Sequence, residues 1–233
     1  MNPDPLQPIV VPERRPMFTR NWSISKAATR WLVAREVSPN TISLAGMAGG
    51  IAAGLALAAT TQPGILSHLM FLTAVAGIIV RGMGNLLDGM VAVASRVASP
   101  HGELFNEVPD RVADVAILIG AGYAAGGNPT LGLLAALVAV LVAYVRAQGK
   151  AVGAGQHYCG PMAKPARMVV ILAIALYCGL TPTCWQPALP LGRHAFGLMA
   201  LGLAVIVVGG LLTAMRRLRR IARNVPSSYQ IPP

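Results

Sequence analysis

Five carboxylates lie close together in a chain that has few of them. Of the eight acidic residues, the stretch from Asn85 to Asp114 holds Asp88, Glu103, Glu107, Asp110 and Asp114. Apolar runs suited to a bilayer flank this stretch on both sides, and an unpaired charge at membrane depth is costly. The carboxylates therefore need a partner that offsets their desolvation, and a metal ion is the predicted one.

The oxygen-bearing side chains form two groups with helical spacing. Asn85 and Asp88 are three residues apart and share one helix face, with glycines beside them. A second stripe consists of Glu103, Asn106, Glu107, Asp110 and Asp114. If the two helices pair through the connection at Ser99-Pro100, the stripes face each other. Oxygen ligands of this kind select hard cations such as Mg²⁺, Mn²⁺ or Ca²⁺.

A purely structural explanation exists for part of this pattern. Pro109 is suited to the first position of a helix, with Asn106 or Glu107 near the cap and Asp110 favoured by the helix dipole. This alternative explains the second stripe without a metal. It leaves Asp88, within the preceding apolar run, unexplained.

The composition is that of an integral membrane protein. Hydrophobic residues make up 55% and charged residues 12%, with a mean hydropathy of +0.59, whereas roughly 25% charged residues is usual in soluble domains. Six apolar stretches have lengths near the roughly 20 residues of a membrane span. They lie at about 42–61, 64–94, 105–125, 130–149, 163–181 and 195–215. The predicted fold is an all-α bundle of six transmembrane helices preceded by an N-terminal amphipathic surface helix.

Four segments are predicted along the chain. Residues 1–21 are proline-rich and predict a disordered cytoplasmic tail. Residues 22–37 alternate apolar and basic positions at helical spacing, which predicts an amphipathic helix at the membrane surface. Residues 38–216 form the six-helix transmembrane domain, and residues 217–233 form a basic cytoplasmic tail.

Basic residues predict the orientation. Six of them precede the first span, and others lie at even-to-odd connections or after the last span, namely Arg96, Arg146, Lys150, Lys164, Arg167, Arg216, Arg217, Arg219, Arg220 and Arg223. By the positive-inside rule, both termini and the acidic stretch are cytoplasmic. Orientation and anionic lipid therefore explain the net charge of +11 better than nucleic acid does. A disulfide between Cys178 and Cys184 stays open.

The acidic stretch resembles the signature of the CDP-alcohol phosphotransferases, D-x-x-D-G-x-x-A-R-x8-G-x-x-x-D-x-x-x-D. The chain keeps the frame of the signature and matches five of its eight positions: Asn85, Asp88, Gly89, Ala92, Val93, Gly102, Asn106 and Asp110 occupy them in order. The first and third aspartates are asparagine here, and the arginine is valine. So many fixed positions in register make a specific signal.

Two further segments resemble the same family. Ser38-Pro39-Asn40-Thr41 with Ser43 is similar to the segment that leads into the first span. Tyr144 to Lys150, followed by Gly160 to Arg167, is similar to the basic segment between the fourth and fifth spans. The resemblance covers about residues 22 to 215.

The resemblance implies an enzyme of phospholipid biosynthesis in the bacterial inner membrane. Such an enzyme transfers a phosphatidyl group from CDP-diacylglycerol, or a related CDP-alcohol, to a small polar or phosphorylated alcohol and releases CMP. It implies Mg²⁺ or Mn²⁺ as the cofactor, a homodimer, and no nucleic-acid partner.

The family's roles carry over by position. The implied metal ligands are Asn85, Asp88, Asn106 and Asp110, with Glu107 or Glu103 as a source of compensating charge. Asp110 is also the implied catalytic base. The residues implied to bind the CDP-lipid are Asn40, Ser43, Gly89, Ala92, Arg96, Ser99 and Gly102. The acceptor is implied to bind at Arg146, Lys150, Lys164 and Arg167, which are equally explained as positive-inside residues.

The departures from the signature leave two questions open. Asn85 and Asn106 keep a carbonyl oxygen but remove two negative charges, so the site is expected to hold one or two ions. Val93 removes a nucleotide contact that Arg96 could restore. A catalytically weakened family member that binds lipid or nucleotide in an assembly role is the alternative function.

Overall fold

The computed structural model describes residues 22–95, 100–191 and 194–225. Within these ranges the protein consists of seven α-helices, two short 3-10 turns and one β-hairpin. The helices are α1 Ser23–Ala34, α2 Pro39–Ala58, α3 Ile65–Ala94, α4 Pro100–Tyr123, α5 Pro129–Ala151, α6 Lys164–Leu180 and α7 Leu198–Asn224. The predicted tail at 1–21 and the residues after 225 lie outside the described part.

Local sequence signals explain several helix starts. Helices α2 and α5 begin at Pro39 and Pro129, where the missing N–H leaves no bond unmade. The preceding Ser38 and Asn128 accept hydrogen bonds from backbone N–H groups in the first turn. Helix α1 ends at Ala34, before the predicted limit of 37, because Glu36 adopts the left-handed conformation with φ 54°.

Each predicted apolar stretch corresponds to one of the helices α2 to α7. Four of the described helices, α2 (with its following 3-10 turn), α3, α5 and α7, are long and apolar enough to cross a membrane. Helix α4 carries the acidic stretch, and α6 has 17 residues. The protein is therefore an all-helical integral membrane protein, and the count of six spans stays a prediction.

The C-terminal part differs from the sequence-based boundaries. Helix α7 continues to Asn224, so the first eight residues of the predicted basic tail are helical. Arg217 is buried and donates to the carbonyl oxygens of Val142 and Cys159, each at 3.0 Å. This arginine therefore attaches α7 to α5 and to the following loop.

A short hairpin precedes α7. Strand β1 (Ala188–Leu191) pairs antiparallel with strand β2 (His194–Gly197), so α7 begins at Leu198 and not at 195. Cys178 is buried and Cys184 is exposed, and both are free thiols. The disulfide that the sequence left open is not formed.

Helix α2 packs against both α3 and α4 through glycines. A Cβ atom on Gly120 of α4 would lie 2.1 Å from the carbonyl oxygen of Gly54 on α2, and one on Gly84 of α3 would lie 3.0 Å from the Cα of Gly46. The backbones therefore approach more closely than side chains allow, as small residues in membrane bundles permit. This packing holds α3 and α4 on either side of α2.

Candidate active site

Asp88 lies near the end of α3 and is 3% exposed. The Oγ of Ser43, in the first turns of α2, donates to Asp88 Oδ2 at 2.8 Å, and the N–H of Gly89 donates to Oδ1. No lysine or arginine of the described residues forms an ion pair with Asp88. Asp88 is therefore a buried carboxylate that neutral donors orient but do not neutralise. Ser43, predicted to contact the nucleotide, orients Asp88 here.

Asp110 of α4 receives two cationic side chains. Arg81 of α3 donates to its Oδ1 and Lys164, the first residue of α6, donates to its Oδ2. The same Lys164 Nζ lies 3.1 Å from Asn85 Oδ1. One ammonium group thus joins signature positions on α3 and α4 to the start of α6.

A second ion pair lies deeper in the bundle. Arg167 is 1% exposed, and its Nη2 lies 3.3 Å from Oδ2 of Asp114, which is 2% exposed. Arg81 Nη2 lies 3.9 Å from Asp114 Oδ1. Arg167 also donates to the carbonyl oxygen of Met162 at 3.2 Å. Arg167, predicted to bind the acceptor, is placed between α6 and α4.

The position of Pro109 decides against the helix-cap alternative. Pro109 lies inside α4, which begins at Pro100. Asp110 is therefore far from the first turn of the helix, and the positive end of the dipole does not account for it. Arg81 and Lys164 stabilise this carboxylate instead. Arg81 also lies near Asp114, so it balances two acids of α4.

Asn106 supplies the observation that tests whether the residues fit a metal ion. Its Oδ1 is buried and has no hydrogen-bond partner in the described part of the chain. A buried acceptor without a partner needs an explanation, and an ion is one. Asp88, which has no ion-pair partner among the described residues, and Asn106 both occupy signature ligand positions, and their oxygens are donors of the kind that a divalent cation prefers.

The remaining signature ligands fit a second divalent ion less well. Asn85 and Asp110 are already engaged by the Lys164 ammonium. Within the described residues no three His, Cys, Asp or Glu side chains form a group able to hold a metal. Two of the four ligand positions are asparagine, so a carboxamide oxygen must complete any ligand set here.

Glu107 belongs to a separate network near the end of α5. It forms ion pairs with Arg111, at 2.7 Å, and with Arg146. Arg146 also donates to Gln156 Oε1 at 3.2 Å, and its guanidinium carbon lies 5.6 Å from the centre of the Tyr158 ring. Glu107 is thus balanced by two arginines. The i,i+4 spacing of Glu107 and Arg111 could have indicated the first pair, whereas Arg146 reaches Glu107 only because α5 packs against α4.

Gly89 borders open space beside Asp88. No atom lies within 4 Å of the Cβ that a side chain at Gly89 would add. The other residues predicted to bind the CDP-lipid differ in solvent exposure. Asn40, in the first turn of α2, is exposed, whereas Ala92 and Gly102 are half-buried. Arg96, Ser99 and the side chain of Glu103 lie outside the described residues. Lys150 is exposed at the end of α5.

Comparisons with known proteins agree with this fold. No protein-family model matches the chain. It is 26% identical over 167 residues to the inner membrane protein YnbA of Escherichia coli, covering 70% of this chain and 79% of that protein. It is 27% identical over 222 residues to the phosphatidylinositol phosphate synthase of Streptomyces avermitilis, covering 90% and 81%.

Solved structures of similar fold come from Mycobacterium tuberculosis. The phosphatidylinositol phosphate synthase with CDP-DAG bound superposes with a TM-score of 0.69 at 16% identity, covering 90% of this chain and 99% of that one. The same enzyme in complex with manganese and citrate also has a TM-score of 0.69.

Fold and site together define a helical integral membrane protein in which polar signature residues meet between α3 and α4. The chain resembles the CDP-alcohol phosphotransferases in its signature frame, and its relatives from Streptomyces avermitilis and Mycobacteroides abscessus support that resemblance. The resemblance predicted from the sequence is therefore confirmed.

Proposed function

We propose that this protein is a phosphatidyltransferase that uses CDP-diacylglycerol and a small polar or phosphorylated alcohol and releases CMP. One observation carries the proposal: three segments far apart in sequence meet, namely the start of α2, the signature and the start of α6. Ser43 from the start of α2 contacts Asp88, and Lys164 from the start of α6 contacts Asn85 and Asp110. The same three segments carry the family resemblance.

The proposed cofactor is Mg²⁺ or Mn²⁺. The related synthase of Mycobacterium tuberculosis was crystallised with manganese, and the oxygen donors here are those that hard cations prefer. Asp88 and Asn106 would hold the ion. A divalent ion supplies positive charge that neutralises the diphosphate and polarises its phosphorus.

Asp110 is the proposed proton acceptor. The acceptor hydroxyl oxygen forms a bond to the β-phosphorus while the bond from that phosphorus to CMP breaks, and its electron pair leaves on the CMP phosphate oxygen. The hydroxyl proton passes to an Asp110 oxygen. Arg81 and Lys164 both donate to this carboxylate, so its Oδ2 becomes accessible to the hydroxyl proton once Lys164 turns to the substrate diphosphate.

The two substrates are proposed to bind at different places, the CDP moiety near Gly89 and the acceptor near the end of α5. The open space at Gly89 suits the approach of the CDP moiety, with Asn40, Ala92, Arg96, Ser99 and Gly102 as the other proposed contacts. Arg146 and Lys150, at the end of α5, supply counter-charge for the acceptor, and a phosphorylated alcohol would use it best. The relatives from Streptomyces avermitilis and Mycobacteroides abscessus are named phosphatidylinositol phosphate synthases.

The proposed location is a bacterial inner membrane with both termini and the site on the cytoplasmic face. The relative from Escherichia coli is named an inner membrane protein, and the basic residues support the orientation. A homodimer is proposed from the family resemblance.

The test is CMP release by the purified protein. Protein in detergent is mixed with CDP-diacylglycerol, Mn²⁺ and a panel of alcohols that includes glycerol 3-phosphate, inositol 1-phosphate, inositol and serine. CMP is expected with at least one acceptor, and Asp88→Ala and Asp110→Asn are expected to abolish it. Glu36→Gln, an exposed carboxylate outside the site, is the matched control.

Two results would overturn the proposal. CMP release that survives both Asp88→Ala and Asp110→Asn would show that the chemistry occurs elsewhere. CDP-diacylglycerol binding without CMP release for any acceptor would favour the catalytically weakened family member with an assembly role.

A further inference from the structure

Lys164 holds a position between two signature ligands. Its Nζ lies 3.1 Å from Asn85 Oδ1 and forms an ion pair with Asp110 Oδ2. Asn85 belongs to α3 and Asp110 to α4, so a cation already bridges the two helices that carry the signature. The side chain is 19% exposed, and α6 begins at this residue, which fixes its backbone.

The charge at the signature positions matches this arrangement. The signature has four aspartates, whereas this chain has two aspartates and two asparagines at those positions. Two carboxylates fewer means weaker attraction for divalent ions. Arg81 and Lys164 both pair with Asp110, whereas Asp88 has no ion-pair partner among the described residues. The charges therefore favour one divalent ion over two.

Asp88 and Asn106 are the two signature ligand positions to which Lys164 donates no hydrogen bond. Asp88 is buried and receives hydrogen bonds from Ser43 and Gly89, both neutral donors. Asn106 Oδ1 is buried and has no hydrogen-bond partner among the described residues. A buried anion and a buried acceptor without a partner would each be stabilised by a bound cation.

We propose that the Lys164 ammonium takes the place of one of two divalent cations, so that the site binds a single metal ion. Lys164 then provides the second positive charge for the substrate diphosphate. An ammonium on a flexible stem can leave Asp110 and donate to a phosphate oxygen, while Asn85 needs no negative charge because its partner is the lysine and not a metal. The inference rests on the proposed function for its substrate.

The test counts ions and does not depend on turnover. Mn²⁺ is titrated into the purified full-length protein with CDP-diacylglycerol and no acceptor, and free Mn²⁺ is measured by electron paramagnetic resonance. The wild type is expected to bind one Mn²⁺ per chain. Lys164→Arg, which keeps the charge, is expected to bind one, whereas Lys164→Gln combined with Asn85→Asp is expected to bind two.

The control is Lys26→Gln, an exposed lysine on α1, which is expected to match the wild type. Two Mn²⁺ bound per wild-type chain would overturn the inference, and so would an unchanged count in Lys164→Gln/Asn85→Asp that retains its wild-type melting temperature. If that double variant does not fold, the number of Mn²⁺ ions bound by the wild type and by Lys164→Arg tests the inference, which requires one ion per chain in both.

Different results would overturn the single-ion proposal and the proposed function. CMP release with two ions bound would overturn the role of Lys164 and leave the proposed function standing. One ion bound without CMP release for any acceptor would overturn the proposed function and leave the ion count standing.

Discussion

Arg81 of α3 and Asp110 of α4 form a buried ion pair inside the bundle. The arginine is 4% exposed and also lies 3.9 Å from Asp114. Its guanidinium therefore lies near two carboxylates at once, each of which also pairs with a cation of α6, Lys164 or Arg167. The pair also fixes the rotation of α4 relative to α3, because Asp110 must face the helix that carries Asp88.

Replacement of Arg81 is expected to destabilise the fold. Arg81→Met leaves Asp110 and Asp114 with less compensation, and breaking a buried pair on one side costs about 3–5 kcal/mol. For a chain of this size the melting temperature is expected to fall by about 10 °C. Fluorescence-detected thermal unfolding in detergent measures this fall.

The matched control is Arg111→Met. Arg111 is 24% exposed and pairs with Glu107 one helical turn away, and its longer contact with Asp110, at 4.0 Å, is weaker than that of Arg81. Pairs near the surface contribute about 0–1 kcal/mol, so a shift of a few degrees at most is expected. Equal shifts in the two variants would show that the Arg81 pair is not a special source of stability.

The sequence indicated which residues of α4 share one helix face, but it did not indicate which residues from other helices contact them. The stripe from Asn106 to Asp114 follows from helical periodicity, which is a local property. The contact of Lys164 with Asp110 joins residues 54 positions apart and depends on how α6 packs against α3. Periodicity carries no information about that packing, so the sequence assigned Lys164 to the acceptor.

The C-terminal end of α7 differs from the predicted boundary at residue 216 because a tertiary contact overrides the effect of composition. The basic run after 216 was predicted as a tail because charge normally ends a membrane span. Arg217 instead donates to two backbone carbonyls, and this contact extends α7. Buried charged residues of this kind are recognised from their partners, which composition does not show.

Ser43 is expected to tune metal binding through Asp88. Its hydroxyl donates to Asp88 Oδ2 at 2.8 Å, and loss of such an outer hydrogen bond typically costs about 10–100-fold in metal affinity. Ser43→Ala is therefore expected to weaken Mn²⁺ binding by about tenfold, measured by titration in the presence of CDP-diacylglycerol.

Ser67→Ala provides the comparison for Ser43. Ser67 is also a buried serine and donates to the Thr60 carbonyl oxygen near the other end of α3. The Mn²⁺ affinity of the Ser67→Ala protein is expected to equal that of the wild type. A Ser43→Ala protein with unchanged Mn²⁺ affinity would show that this hydroxyl has no role in the metal site.

Gly89 is expected to matter for substrate and not for folding. The space around an added Cβ is open, so Gly89→Ala should leave the melting temperature within about 2 °C of the wild type. If the CDP moiety occupies that space, the KM for CDP-diacylglycerol rises by about tenfold or more, because the added methyl group blocks close approach.

Gly82→Ala is the control for this substitution. Gly82 lies two turns earlier on α3 and also has open space around an added Cβ. Its KM for CDP-diacylglycerol is expected to stay at the wild-type value. Equal KM values for both variants would remove Gly89 from the proposed nucleotide contacts.

Arg146 is expected to distinguish phosphorylated from neutral acceptors. Glu107 and Gln156 fix its guanidinium near the end of α5. A charged hydrogen bond to an acceptor phosphate contributes about 1.5–3 kcal/mol, so Arg146→Gln should raise the KM for a phosphorylated alcohol by about tenfold to a hundredfold. Arg216→Gln, an exposed arginine on α7, should leave that KM unchanged. If the KM rises similarly for phosphorylated and neutral alcohols, or if the KM for CDP-diacylglycerol rises, Arg146 acts by positioning Glu107 and not by binding the acceptor phosphate.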